Sequence, residues 1–120
     1  MVKTKLAILP SLREKKRYLV FEVISKEKIS DINPVTNTIW GCVIKFLGLL
    51  GAAKAGIMVL HNKWNPKLQR GIIKVNNRHV TALKAALTLA TNINNNGVIF
   101  RSIGVSGILR KAENKYLNMP

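Results

Sequence analysis

The stretch "YLVFEVIS", Tyr18 to Ser25, decides the fold. It is rich in aromatic and β-branched residues and has the length of a strand, so it reads as the first and central strand of a sheet. The segments after it set the topology. In "DINPVTNTIWGCVIKFLGLLG", Asn33 stands as a helix cap with Pro34 at the first helical position, and an apolar run of helical length comes next, closed by Gly51. "AGIMVLHN" and "RGIIKVN" are strand-like runs separated by "KWNPKLQ", whose Asn65-Pro66 favours a turn, which predicts a hairpin.

"NRHVTALKAALTLATNIN" places Val80, Leu83, Leu87 and Ala90 at helical spacing, and the asparagine-rich run Asn94 to Gly97 stops that helix. "VIFRSIGVS" is a fourth strand and "GILRKAENKYL" a short terminal helix. The order predicts an α+β, ferredoxin-like or RNA-recognition-like βαββαβ sandwich, with an antiparallel sheet and an extra C-terminal helix. Residues 1–120 form one domain, and 1–16 read as a basic N-terminal arm. RNA-recognition domains, phosphatases and small-molecule sensors share this topology, so function must come from the side chains.

The charge balance narrows the choice. Twenty Lys and Arg against five Asp and Glu leave +15, while 48% hydrophobic residues are enough for a packed core. Such a surplus repels itself unless a polyanion neutralises it, which points to nucleic acid ahead of an acidic membrane surface. The single cysteine, Cys42, excludes an internal disulfide, sits in an apolar run as a small buried hydrophobe, and fits a reducing, cytoplasmic setting. Pro10 cuts short the apolar patch near the N-terminus, which makes a poor signal peptide. The run from Ile39 to Leu60 is interrupted by Lys45, Lys54 and glycines, so it reads as a buried helix followed by a strand and no membrane partner is expected.

Catalytic chemistry finds little to work with. Glu14, Glu22, Glu27, Asp31 and Glu113 are scattered, whereas a metal-dependent nuclease needs clustered carboxylates. His61 and His79 have no ligand spacing and read as structural or solvated side chains. No catalytic residue and no metal ligand is therefore assigned.

RNA binding needs cations for phosphate and flat rings for bases. "RGIIKVNN" opens like the RNA-recognition signature but lacks its stacking aromatics; Tyr18 or Phe21 offers one ring, with core packing as the other reading. Two basic stretches stand out. "LREKKRYL" holds Arg13, Lys15, Lys16 and Arg17, and "RSIGVSGILRK" gathers Arg101, Ser102, Ser106, Arg110 and Lys111 around Gly104 and Gly107, with Lys115 extending it. Ser106 reads as a cap of the last helix, and Gly107 lets phosphate approach the free amides, although a plain capped helix explains both residues as well. The first helix spreads Ile39, Trp40, Val43, Ile44, Phe46, Leu47 and Leu50 over more than one face, so it is either a deep core helix or one with an outer stripe, Trp40, Ile44 and Leu47, for a protein partner.

With these stretches placed, "LPSLREKKRYLVFEVIS", "GIIKV" with its adjoining helix, and "VIFRSIGVSGILRK", the sequence resembles the archaeal ribonuclease P protein-component-two family, the Pop-five and Rpp-fourteen group. The resemblance implies a sheet flanked by helices in a noncatalytic subunit of a ribozyme. The ribonuclease P RNA, using magnesium that it holds itself, removes 5′ leaders from precursor tRNA. The protein binds no cofactor, pairs with the barrel-like ribonuclease P protein component three in an assembly with two copies of each, and shapes the catalytic half of the RNA. The family usually has threonine after its Ser-Gly pair; here that position is Ile108, so a hydroxyl contact falls to Ser106 or Ser102. Two other readings stand beside it: an independent RNA-recognition or ribosomal protein, and a ferredoxin-fold acylphosphatase, which needs a glycine-rich loop where this chain has "SKEKISD".

Overall fold

A computed structural model describes residues 15–120, so Arg13 and the arm up to residue 14 lie outside the described residues. Lys15 and Lys16 are not arm: Lys16 opens strand β1 (Lys16–Ser25), and the Lys15 carbonyl accepts the Asn77 N–H at 2.7 Å. After β1 come α1 (Ile32–Ala55), β2 (Met58–Val59), β3 (Arg70–Asn76), α2 (Val80–Leu87), β4 (Asn92–Ile93), β5 (Asn96–Ser106) and α3 (Leu109–Ala112). Tight turns at His61–Lys63 and Asn77–His79 join them, and α3 runs on into a π-helical turn, Glu113–Leu117. The sheet order is β2-β3-β1-β5-β4, antiparallel throughout. This is the expected ferredoxin-like arrangement with the short β4 added at one edge.

β1 is apolar along its length because both of its faces are covered. Leu19, Phe21 and Val23 point into a core closed by Val35, Ile39 and Val43 of α1 and Leu83, Ala86 and Leu87 of α2. Phe21 is fully buried there, stacked between Phe100 at 5.6 Å and Trp64 at 6.3 Å between ring centroids. Burying each such side chain contributes roughly 1.5–3 kcal/mol. On the opposite face Val20 and Ile72 lie under Ala112 and Leu117, with Tyr18, Leu60, Ile103, Leu109 and Tyr116 packed around them. The C-terminal helix thus covers the face that an RNA-recognition domain leaves open, and neither Tyr18 nor Phe21 is a free stacking ring.

A β-bulge adapts β5 to this second layer. Val20 pairs with Gly104 but Phe21 pairs with Ser102, which leaves Ile103 as the extra residue and turns Gly104 towards α3. A Cβ on Gly104 would lie 2.4 Å from the Tyr116 ring, so only glycine lets that ring seat.

Several expected boundaries move. The cap of α1 is Asp31, whose side chain accepts the Asn33 N–H at 3.1 Å, so Asn33 and Pro34 lie inside the first turn. Gly51 does not end the helix. The helix breaks at Gly48 (φ 75, ψ 170) and resumes to Ala55, where Gly56 in the left-handed region returns its N–H to the Ala53 carbonyl. α1 is long and apolar enough to cross a bilayer by length and composition, but it is interrupted at Gly48, and Val35, Ile39 and Val43 are core residues at 0% exposure. β2 is two residues long. α2 stops at Leu87, before the asparagines, where the Thr88 hydroxyl donates to the Ala85 carbonyl at 2.6 Å. Asn94 and Asn95 instead form a two-residue hairpin turn, both at positive φ, that returns β4 onto β5.

Candidate functional site

The antiparallel register collects one end of every long strand. Lys16 pairs with Asn76, Tyr18 with Lys74, and Tyr18 on its other side with Ser106, so the start of β1 and the ends of β3 and β5 lie together. The two basic stretches of the sequence therefore meet. A Cβ on Gly107 would come 3.2 Å from an Arg17 guanidinium nitrogen, and α3 starts from this point with Arg110 and Lys111 exposed.

The other predicted residues do not all join them. Arg101 pairs with Glu22, five residues and roughly 16 Å of strand before Ser106. Adjacent strand residues point to opposite faces, so Arg101 and Ser102, though both exposed, do not share one. The Arg101 guanidinium is 2.8 Å from Glu22, which also takes the Arg70 Nε at 3.2 Å. Lys115 sits one helical turn past Lys111, exposed, with its ammonium 5.6 Å from the Tyr116 ring centroid.

Ser106 is not the cap of α3. The cap position is Ile108, which has no side-chain acceptor; the Ser106 hydroxyl accepts the Ile108 N–H at 3.1 Å and donates to the Ile108 carbonyl at 3.0 Å, closing a local turn. With four α-helical residues, α3 also has too little aligned backbone to act as a phosphate-binding dipole end. The attraction for anions at this place comes from the cations. Among the described residues, the ion pairs are Lys63–Glu113, Arg70–Glu22 and Arg101–Glu22, and none involves Lys15, Lys16, Arg17, Arg110 or Lys111.

Arg70, read from the sequence as the opening of an RNA-recognition signature, is 8% exposed and structural. Besides Glu22 it donates to the backbone carbonyls of Tyr116, at 2.7 Å, and of Met119, tying the end of the chain to the sheet. Asn65 adds a bond from its side-chain amide to the Leu117 carbonyl at 3.1 Å.

Burial pushes the Cys42 thiol up, with Lys45 opposing, which keeps it protonated and a poor nucleophile. His61 faces the Thr36 hydroxyl at 3.3 Å, while His79 belongs to the turn before α2. Among the described residues, no three of His, Cys, Asp and Glu stand close enough to hold a metal ion.

The predicted protein-interface stripe divides. Trp40 and Leu47 pack against the chain's own core, and only Ile44 is exposed. The apolar surface that α1 does present lies further along, at Ile44, Phe46, Leu49 and Leu50, with Leu49 at 75% and Leu50 at 70% exposure. Helical spacing carried through from Trp40 misses Leu49, because the break at Gly48 resets which face the next residues occupy.

A family model described as the Rpp14/Pop5 family matches residues 17–117. The ribonuclease P protein component 2 of Thermococcus gammatolerans is 40% identical over 108 residues, covering 90% of this chain and 88% of that protein. That of Thermococcus kodakarensis is 38% identical over the same coverage, and that of Pyrococcus abyssi 37% identical over 91% of this chain and 90% of its own. A chain in the cryo-EM structure of yeast ribonuclease MRP has the same fold, with a TM-score of 0.62 at 11% identity over 82% of this chain and 78% of that one.

Proposed function

The chain belongs to the Rpp14/Pop5 family, and we propose that it works as a protein subunit of ribonuclease P that holds and shapes the catalytic RNA. In this reading the RNA, with magnesium of its own, removes the 5′ leader from precursor tRNA. The protein supplies no catalytic group and binds no cofactor.

The observation that carries the reading is the register that brings Lys16 and Arg17 beside Ser106, Gly107, Arg110 and Lys111 at one end of the sheet. Phosphate contacts need cations free of internal carboxylates, and these have that property among the described residues. Base stacking on the sheet is blocked by α3, so recognition falls to phosphate and shape. Arg101 is a weaker contact than Arg110, because Glu22 already holds it. A barrel-like second subunit, two copies of each in the assembly, is the partner assigned to the patch at Ile44, Phe46, Leu49 and Leu50.

The test is cleavage of precursor tRNA by the matching ribonuclease P RNA at limiting magnesium, with and without this protein and its barrel partner. Faster cleavage only with both proteins supports the subunit reading. No stimulation, with RNA and partner shown to be competent, refutes it and leaves an independent RNA-binding domain.

A further inference from the structure

Among the described residues, one end of the sheet carries cations and no paired carboxylate. At the end where β1 starts, β3 also finishes and α1 closes, and this brings in three cations beyond those singled out from the sequence: Lys54, Lys74 and Arg78. Lys74 stands in one cross-strand row with Tyr18 and Ser106, so about 10 Å separates the β3 and β5 backbones across β1. Arg78 is exposed in the turn directly after β3, and that turn is fixed to the start of β1 by the Asn77 N–H on the Lys15 carbonyl.

Asn76 ties this corner together. It is 7% exposed, accepts the Lys16 ammonium on its side-chain oxygen, and donates from its amide to the Lys54 carbonyl at 2.7 Å. Gly56 serves the same corner, since a Cβ there would sit 2.8 Å from the Asn76 oxygen. Among the described residues the carboxylates lie elsewhere: Glu22 with Arg70 and Arg101, Glu113 with Lys63, Asp31 as the α1 cap, and Glu27 in the loop beyond the far end of β1. Among the described residues, Lys54, Lys74 and Arg78 make no ion pair.

We infer that Lys74 and Arg78, beside a Lys16 positioned by Asn76, continue the phosphate-binding surface from α3 across the end of the sheet to β3. This rests on the proposed RNA-binding function. The surface takes the backbone of base-paired RNA: its cations span the width of three strands, the flat face beside them is filled by α3, and the rings next to them, Tyr18 and Tyr116, are packed into that layer.

The experiment measures binding of the full chain to the matching ribonuclease P RNA over a range of salt concentrations. It compares Lys74→Gln/Arg78→Gln, Arg110→Gln/Lys111→Gln, and Lys26→Gln/Lys67→Gln, whose two exposed lysines lie beyond the finish of β1 and before the start of β3, at the opposite end. Every pair removes the same charge, so non-specific attraction falls equally. The first two variants are expected to lower the slope of log affinity against log salt by roughly 1.4–1.8 each, at 0.7–0.9 per lost contact, with the third close to the wild type.

If Lys74→Gln/Arg78→Gln behaves like Lys26→Gln/Lys67→Gln while Arg110→Gln/Lys111→Gln loses slope, the extension to β3 is overturned and the RNA reading stands. If all three keep the wild-type slope, the RNA reading of this end falls with it. Arg78→Gln alone, at an exposed turn, separates a lost contact from a folding defect at the half-buried Lys74 and is expected to lose about half as much slope. A base-paired hairpin competing no better than an unpaired strand of equal length overturns the assignment to paired RNA.

Discussion

Gly104→Ala tests the central structural claim, that α3 lies on the second face of the sheet. The new methyl carbon would sit 2.4 Å from Cε1 and Cζ of Tyr116, against about 3.4 Å for the closest ordinary contact, so ring and methyl must separate by about 1 Å. Gly104 lies in a strand at negative φ, so Ala meets no backbone strain, and alone it would even stabilise slightly by restricting the unfolded chain. The clash dominates. Overpacking of this kind costs about 1–3 kcal/mol, and about 2 kcal/mol lowers the melting temperature by roughly 8 °C in a domain near this size. The assay is urea unfolding of four proteins: wild type, Gly104→Ala, Tyr116→Ala and the double variant. With the ring gone the methyl has nothing to strike, so Gly104→Ala in the Tyr116→Ala background should be neutral or slightly stabilising, a coupling of about 2 kcal/mol. Equal effects of Gly104→Ala in both backgrounds would refute the placement of Tyr116 over β5, and with it the covered face.

Arg70→Met removes the tie from the sheet to the carbonyls of Tyr116 and Met119 and leaves Glu22 with Arg101 alone, so a loss of about 3 kcal/mol is expected, with faster amide exchange in residues 112–117 than elsewhere. Asp31→Ala should cost about 1 kcal/mol in urea unfolding while Asn33→Ala costs little, the reverse of what the sequence alone predicts. Ile108→Thr places a hydroxyl at the uncapped start of α3 and should stabilise by about 1 kcal/mol, read as a raised urea midpoint with unchanged m-value.

The sequence carries the topology because apolar runs of strand and helix length alternate in it without ambiguity. The register, and hence the meeting of Arg17 with Gly107, comes from pairings across 88 residues of chain that spacing alone does not encode. The glycines illustrate the limit. Gly48, Gly51 and Gly56 look alike in an apolar run, yet Gly48 breaks the helix, Gly56 ends it, and Gly51 lies inside it, where a Cβ would come 3.0 Å from the Leu47 Cβ. Gly104 reads as part of a phosphate loop until the bulge at Ile103 is known, after which it is the seat of Tyr116. Arg70 resembles a binding residue for the same reason: a buried arginine that holds backbone carbonyls and an exposed one that meets phosphate are the same letter.

The covered second face also accounts for where the charge lies. A strand packed on both sides admits a charged residue in its middle only when that residue is paired internally, and Glu22, between Arg70 and Arg101, meets that condition. Unpaired lysines and arginines borne by the strands themselves must sit near strand ends, where the covering layers stop, while others such as Lys26, Lys45 and Lys67 lie on exposed loops and helices. At the end shared by the start of β1 and the finish of β3 and β5, several strand ends come together, and antiparallel pairing holds their backbones about 5 Å apart. Closing the face that would have read bases and concentrating cations at the strand ends are therefore one structural event. Under the proposed function, such a fold would meet RNA with a rigid row of charges, and its specificity would rest on the spacing of phosphates in a folded RNA.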